Sequence, residues 1–471
     1  MTHMIRTEGG RVSGRGCTGP ARATAVFILL AASIPLGAQS PLLSGFNLPG
    51  GSQGGWQIYD IAGFAGWESV VNPQSGFFLP NNTSLQGDEL LGASGTVGWS
   101  RRNQRTSFSL VYTGGYLGQI RYSNLSAFNQ MLSLNATRRL TAKWSAGFAA
   151  TSSVSTYDQM LFSPTVFSSV VAAPGSFSDL SSAVLAGKYT NDQLASILTG
   201  APVIESPART VFFGNRVFTT SAAASLSYAH SQRLSLSFGV NGSRSQHLND
   251  GQQQDAPQYV YLIPQATEVS STLSLSYSLT PRTQVGVSLS GSRGFSQIQE
   301  AYTTYGTVFV GRNMGRHWFA QVRGGSGYVA NINRQFTGNN GTTPVFGGSL
   351  GYKTYAHSFL GAYDRSLSQT YGAGAADTIT ISAAWHWWRP GRRWGLSSDY
   401  MEQQFRGGVF GDANGWRAAF GVTRQMGDHA VLETGYTYAS YTSKSPTFPY
   451  DSQQNAVRVS VMWIPRSPER P

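Results

Sequence analysis

The sequence predicts an all-β protein, a transmembrane antiparallel β-barrel of about 18 strands with one long, partly helical outer connection. Three observations predict it. Apolar and small polar residues alternate with a period of two through segment after segment, which puts two different faces on each strand. Charged residues make up only 12% of the 471-residue chain, roughly half the ~25% usual in soluble domains, and the 55 glycines are spread along it instead of being pooled in linkers. The only long apolar run lies near the N-terminus, so any crossing of a bilayer further along must be made by strands. A mean hydropathy of −0.19 agrees with this, because barrel strands turn only alternate residues to lipid.

The N-terminal segment has a basic stretch up to Arg22, an apolar run over 23–34, and then Pro35, Leu36, Gly37 and Ala38. This is the grammar of an export signal, and the run is too short to span a membrane as a helix. Cleavage is expected after Ala38 or Ser40. The one cysteine, Cys17, then leaves with the leader, and with it any disulfide, thiolate ligand or cysteine nucleophile. The leader carries four arginines and one glutamate, so the formal charge of +12 falls to about +9. That excess is scattered, with no basic stripe interleaved with aromatics, which argues against nucleic-acid binding.

Residues 39–55 read as a Gly/Pro-rich periplasmic lead, 56–464 as one barrel, and 465–471 as a short tail. A weak first strand is expected at 56–68. The pattern is clearest over 266–297: Val269, Leu273, Leu275, Tyr277 and Leu279 share one parity, with serines and threonines on the other. Thr280-Pro281-Arg282-Thr283 turns the chain, and Val285, Val287 and Leu289 carry the alternation back. The same unit recurs around tight turns at 102–105, 141–143, 230–233, 315–317, 356–358, 389–393 and 427–429. The apolar parity of 302–315 cannot be assigned. Eight hairpins with the first strand and a final strand ending at Trp463 give 18 strands; sixteen is the alternative. An even count puts both termini on the tight-turn side. Trp99, Trp144, Trp318, Tyr352 and Trp387 crowd that side, and Tyr116, Tyr328, Tyr400, Trp416 and Tyr438 the other, as interfacial belts do.

The connection 157–215 is far longer than an ordinary loop. It contains a capping pattern, Thr190-Asn191-Asp192-Gln193, ahead of Leu194, Ile197 and Leu198, and a second helical candidate at 178–185.

Export signal, alternating strands, tight turns on one side, aromatic belts and a final strand closing on an aromatic together resemble the porin-like outer-membrane β-barrels of Gram-negative bacteria. The resemblance is architectural and covers nearly the whole mature chain, although eight residues follow Trp463 where such barrels end on the aromatic. It implies insertion among outer-membrane lipid and lipopolysaccharide by the barrel-assembly machinery, passage of small hydrophilic solutes, and a chain compatible with homo-oligomers. It also makes 157–215 the third outer loop, which in such barrels folds inward.

Parity makes Arg139, Arg323, Arg417 and Arg458 candidate pore-lining bases, with Glu268, Asp399 and Glu433 as candidate acids. Asp158, Asp179, Asp192 and Glu205 are constriction candidates on the long connection. Acids on the loop opposite arginines on the wall would create a transverse field; loop charges facing lipopolysaccharide are the plainer alternative. No metal-ligand spacing, cofactor motif or phosphate loop is present. His230, His317, His357 and His429 sit at tight turns as interfacial caps. A Ser243, Ser245, His247 and Asp250 set is the only arrangement placed like a hydrolase triad, and strand alternation argues against it, so no catalysis is expected. The expected function is an outer-membrane channel for small solutes, anionic ones included. The alternatives are export of an anionic polymer and a structural barrel with a closed lumen.

Overall fold

The computed structural model describes residues 55–463 apart from 72–85, 122–126, 157–215, 249–264, 297–299, 333–339, 370–374, 390–392, 407–411, 445–448 and single turn positions. The expected leader, lead, tail and helices of the long connection therefore lie outside the described residues.

The chain forms 18 antiparallel strands: β1 (Gly55–Val71), β2 (Gln86–Arg102), β3 (Thr106–Gln119), β4 (Ala127–Arg139), β5 (Trp144–Thr156), β6 (Arg216–Ala229), β7 (Leu234–Leu248), β8 (Ala266–Thr280), β9 (Thr283–Ser296), β10 (Glu300–Met314), β11 (Trp318–Asn331), β12 (Gly341–Lys353), β13 (His357–Gln369), β14 (Ala375–Arg389), β15 (Trp394–Arg406), β16 (Ala413–Gln425), β17 (Ala430–Lys444) and β18 (Pro449–Trp463). Each pairs with its neighbours in sequence, and β1 pairs with both β2 and β18, which closes the sheet. The weak strand at 56–68 is therefore the closing strand; at the seam Ile61 faces Trp463 and Glu68 faces Ala456. A bulge between Ile58 and Asp60 shifts the parity, which is why its alternation reads as imperfect.

Local chemistry sets the tight turns. Thr141 Oγ1 accepts the backbone N–H groups of Lys143 at 3.2 Å and Trp144 at 3.1 Å, and Ser231 Oγ accepts those of Arg233 and Leu234. These side-chain caps replace ladder bonds where the chain reverses. Gly315 and Gly427 take φ of 73° and 115°, a region that costs glycine little. The other connections are not uniformly long. β9 and β10 are joined by 297–299 alone, and β17 and β18 by 445–448, so the outer rim is uneven.

The outward parity is apolar: Leu132, Phe148, Leu236, Phe238, Leu275, Leu289, Val308, Val322, Phe346, Phe420 and Val459 are all exposed there. Tilted ring pairs line the tight-turn edge, with Trp144 4.6 Å from Tyr228, Trp318 4.6 Å from Tyr352, and His357 6.5 Å from Trp387. At the opposite edge Trp416 lies 4.9 Å from Tyr438. These are the two belts, and the histidines at the turns belong to one of them.

The inner wall is of two kinds. Along β3 to β8 its buried residues are mostly small hydroxyls, Ser109, Ser133, Thr151, Ser153, Thr219, Ser221, Ser245 and Ser276, joined at the outer end of β3 by Leu117 and Gln119. Ser235 and Ser237 face Ser276 and Ser274 at 2.6 and 2.5 Å. Along β10 to β14 the inward residues include Phe309, Phe319, Val345 and Leu360, none more than 3% exposed. This resolves the strand whose faces the sequence leaves open: on β10 the even positions Val308 and Val310 are exposed outward, and the odd ones, Phe309 among them, turn inward. Glycines make the room. A Cβ on Gly286 would lie 2.4 Å from the Phe309 ring, and one on Gly351 would lie 2.0 Å from Phe319. Near the outer ends Ala301, Val329, Val345 and Leu367, one from each of β10 to β13, join in a dry cluster with Tyr305 against it. Backbones of β10 come within 8 Å of those of β13 and β14, much less than the ~14 Å expected across three strand spacings. The wall therefore curls sharply in this corner.

Candidate functional site

The inward groups with chemical character beyond hydroxyl and amide lie mostly on the half running from β11 round to β2. Arg323 projects inward from β11, and its Cα row runs through Gly347 on β12 to Asp364 on β13. The guanidinium spans that row: Nε donates to Asp364 Oδ1 at 3.1 Å, and Nη2 bonds the same oxygen. Gly347 is what lets it pass, since a Cβ there would lie 2.4 Å from Asp364 Oδ1 and 3.3 Å from Arg323 Nε. Further round, Arg417 on β16 donates through Nη2 to Asp399 on β15 at 3.1 Å. Arg458 on β18 lies with its guanidinium carbon 3.9 Å from the Phe64 ring centroid, and its backbone faces Gly435 on β17, two positions along from the inward Glu433. Phe64 itself lies against Gly92, whose added Cβ would be 2.1 Å from the ring.

Arg139 shares the inward parity but belongs to the mouth. Its Nε donates to the Thr141 carbonyl of its own turn at 3.3 Å. Glu268 stands near the outer end of β8, where Ser292 hydrogen-bonds its carboxylate, and Ser292 in turn meets Thr303 at 2.6 Å. All seven expected wall residues thus lie on the inward parity. Asp158, Asp179, Asp192 and Glu205 lie outside the described residues.

Four inward carboxylates escape the sequence reading. Asp364 holds Arg323. Asp60 accepts from Thr96 Oγ1 at 3.2 Å. Glu68 and Asp88 face each other across β1 and β2 and are almost wholly buried; Asp88 Oδ1 accepts the backbone N–H groups of Glu89 at 2.7 Å and Arg121 at 2.8 Å. A signal existed for Asp364, because Tyr363 lies on the apolar parity and its neighbour must face in. The Asp60 bulge and the register that joins Arg323 to Asp364 were not in the sequence pattern. Contrary to the expectation from alternation, positions 243, 245 and 247 are two apart and share one parity, with backbones opposite Ser221, Thr219 and Val217. Alternation does not separate them, and Asp250 lies outside the described residues.

No protein-family model and no curated protein sequence matches the chain. Among solved structures it is similar to Pseudomonas aeruginosa OccK1 (OpdK), at a TM-score of 0.43 and 11% identity over 86% of this chain and 98% of that one. It is also similar to a BenF-like porin from Pseudomonas fluorescens Pf-5, at 0.43 and 9% over 87% and 98%, and to Acinetobacter baumannii OccAB4, at 0.41 and 8% over 88% and 99%.

Chemically, the wall can hold water and orient polar solutes. Each wall arginine beyond the mouth has a carboxylate or a ring beside it, so charge alternates around this half of the barrel instead of forming one basic face. Among the described residues no group of three or more histidine, cysteine or carboxylate side chains is arranged to hold a metal ion.

Proposed function

We propose that the protein is an outer-membrane channel for the passive passage of small hydrophilic solutes. The observation that carries this reading is the division of a closed wall into two surfaces. The outside is continuous Val, Leu and aromatic surface between two ring belts; the inside is largely hydroxyl, glycine and paired charge, with one apolar corner along β10 to β14. An apolar exterior needs lipid, and a polar interior needs water or a polar solute. Closed barrels of this kind belong to the Gram-negative outer membrane, which supports that location for this one.

The wall also bears on solute charge. Inward guanidiniums with described side chains are Arg139, Arg323, Arg417 and Arg458; inward carboxylates are Asp60, Glu68, Asp88, Glu268, Asp364, Asp399 and Glu433. With acids the more numerous, the wall favours neutral and cationic solutes over anionic ones, and lends no support to export of an anionic polymer.

Recording from refolded protein in a planar bilayer tests both points. Stable single-channel steps are expected, with a reversal potential in a salt gradient that marks modest cation preference. A heat-modifiable, correctly folded barrel with no conductance would make the lumen closed and the channel reading wrong.

A further inference from the structure

The outward face is apolar between two charged edges: Arg138, Arg312 and Arg424 stand exposed at the tight-turn edge, and near the outer ends of the strands β7, β9 and β10 carry a compact charged group. Arg244 faces outward on β7 and is exposed. Its backbone row runs through Thr267 on β8 and Phe295 on β9 to Glu300 on β10. One step toward mid-strand, Arg293 stands between Val269 and Tyr302. Its side chain is 51% exposed, donates Nε and Nη2 to Glu300 Oε1 at 2.8 and 2.5 Å, and lies 5.0 Å from the Tyr302 ring centroid and 5.9 Å from that of Phe295.

Arginine on the lipid face of a barrel is costly at the bilayer midplane and nearly free at the interface. The position of this pair near the outer strand ends fits headgroup depth. Two guanidiniums face one carboxylate, so the group keeps a positive charge. Glu300 occupies Nε and Nη2 of Arg293 and leaves Nη1, and Arg244 has no hydrogen-bond partner among the described residues. The two arginines are two strands apart, on the order of 10 Å. Below them the exposed Leu273 and Leu289 offer a track for acyl chains.

We infer that Arg244 and Arg293, with Tyr302 and Phe295 beside them, form a binding site for the phosphorylated saccharide headgroup of an outer-leaflet glycolipid of the lipid A type. This rests on the outer-membrane location proposed above. Guanidinium groups pair with phosphate oxygens through parallel donors, the aromatic rings sit at the level where ring and sugar meet, and Glu300 holds Arg293 upright while competing for it.

The test is binding of bisphosphorylated lipid A to detergent-solubilised protein by native mass spectrometry, with phosphatase-treated lipid A and phosphatidylglycerol as parallel arms. In wild type, both comparison lipids should bind at least fivefold more weakly than lipid A. R244A/R293A should lose at least fivefold in lipid A affinity. E300Q, which frees Arg293, should gain about twofold. Heat-modifiable migration is read on every variant, and E300Q keeps the test decisive if the double variant fails to fold. Equal binding by R244A/R293A, equal binding of dephosphorylated lipid A or phosphatidylglycerol, or no gain in E300Q would overturn the site. Fractionation of the wild-type protein away from the outer membrane would instead overturn the location, whatever the binding arms show.

Discussion

The two halves of the inner wall solve the same packing problem in opposite ways. From β3 to β8 most inward residues are small, and hydroxyls such as Ser237 and Ser274 meet directly at 2.5 Å. From β10 to β14 the inward residues include phenylalanines and charged chains, and glycines on adjacent strands are what admit them. Gly286 lies under Phe309, Gly351 under Phe319, and Gly347 under the Arg323–Asp364 bridge. Small residues everywhere leave a smooth wall with little to distinguish one solute from another. Large residues seated on glycines let one side of the wall curl and carry charge, so selectivity can be built into strands and does not depend on loops alone.

Substitutions break this comparison in graded steps. Gly351→Ala sets a methyl group 2.0 Å from the Phe319 ring and should cost about 1–3 kcal/mol as overpacking does. The matched change Gly239→Ala, where the nearest atom is 3.9 Å away, should leave stability unchanged. Urea unfolding of the two variants in lipid vesicles checks the contrast, and equal losses would show that the halves do not differ in packing. Next in size is Asp364→Asn, which removes the charge holding Arg323. Both side chains are partly exposed to the lumen, at 32% and 17%, so a stability cost of about 1 kcal/mol or less is expected, together with roughly a twofold shift of the permeability ratio toward anions. An unchanged reversal potential would remove the pair from the conduction path. The smallest effect is expected from Ser237→Ala with Ser274→Ala: both partners of a hydroxyl contact go together, so stability should move by less than about 0.5 kcal/mol with conductance unaltered.

This asymmetry also explains what could be read from the sequence. Where one face is Ser, Thr and Gly and the other Val, Leu and Tyr, as on β8 and β9, alternation fixes the strand, its faces and its turn. On β10 both faces carry apolar residues, because Phe309 and Tyr305 pack inward while Val308 and Val310 meet lipid, and the pattern loses its sign. The wall arginines were legible from parity, but their partners were not. Arg323 meets Asp364 across 41 residues of sequence, through a register that depends on how β11, β12 and β13 align, and no local signal specifies that alignment. Arg293 breaks the alternation altogether: by parity it belongs to the lipid face, and only its place near the outer rim, beside Glu300 and Tyr302, makes a charge there reasonable.

The seam between β1 and β18 bears on how the barrel comes into being. Every other strand pair joins neighbours in sequence, so its loop-closure entropy is modest and it can form as a hairpin or a long-loop pair without waiting for the rest. The seam is different: the Asn455 N–H that donates to Ser69 Oγ does so across 386 residues. Until β18 arrives, β1 and the last strand formed both present unpaired backbone edges, which are templates for pairing with another chain. Closure is thus a single late event of high contact order, and the open intermediate is the species that a chaperone or insertion machine would have to shield.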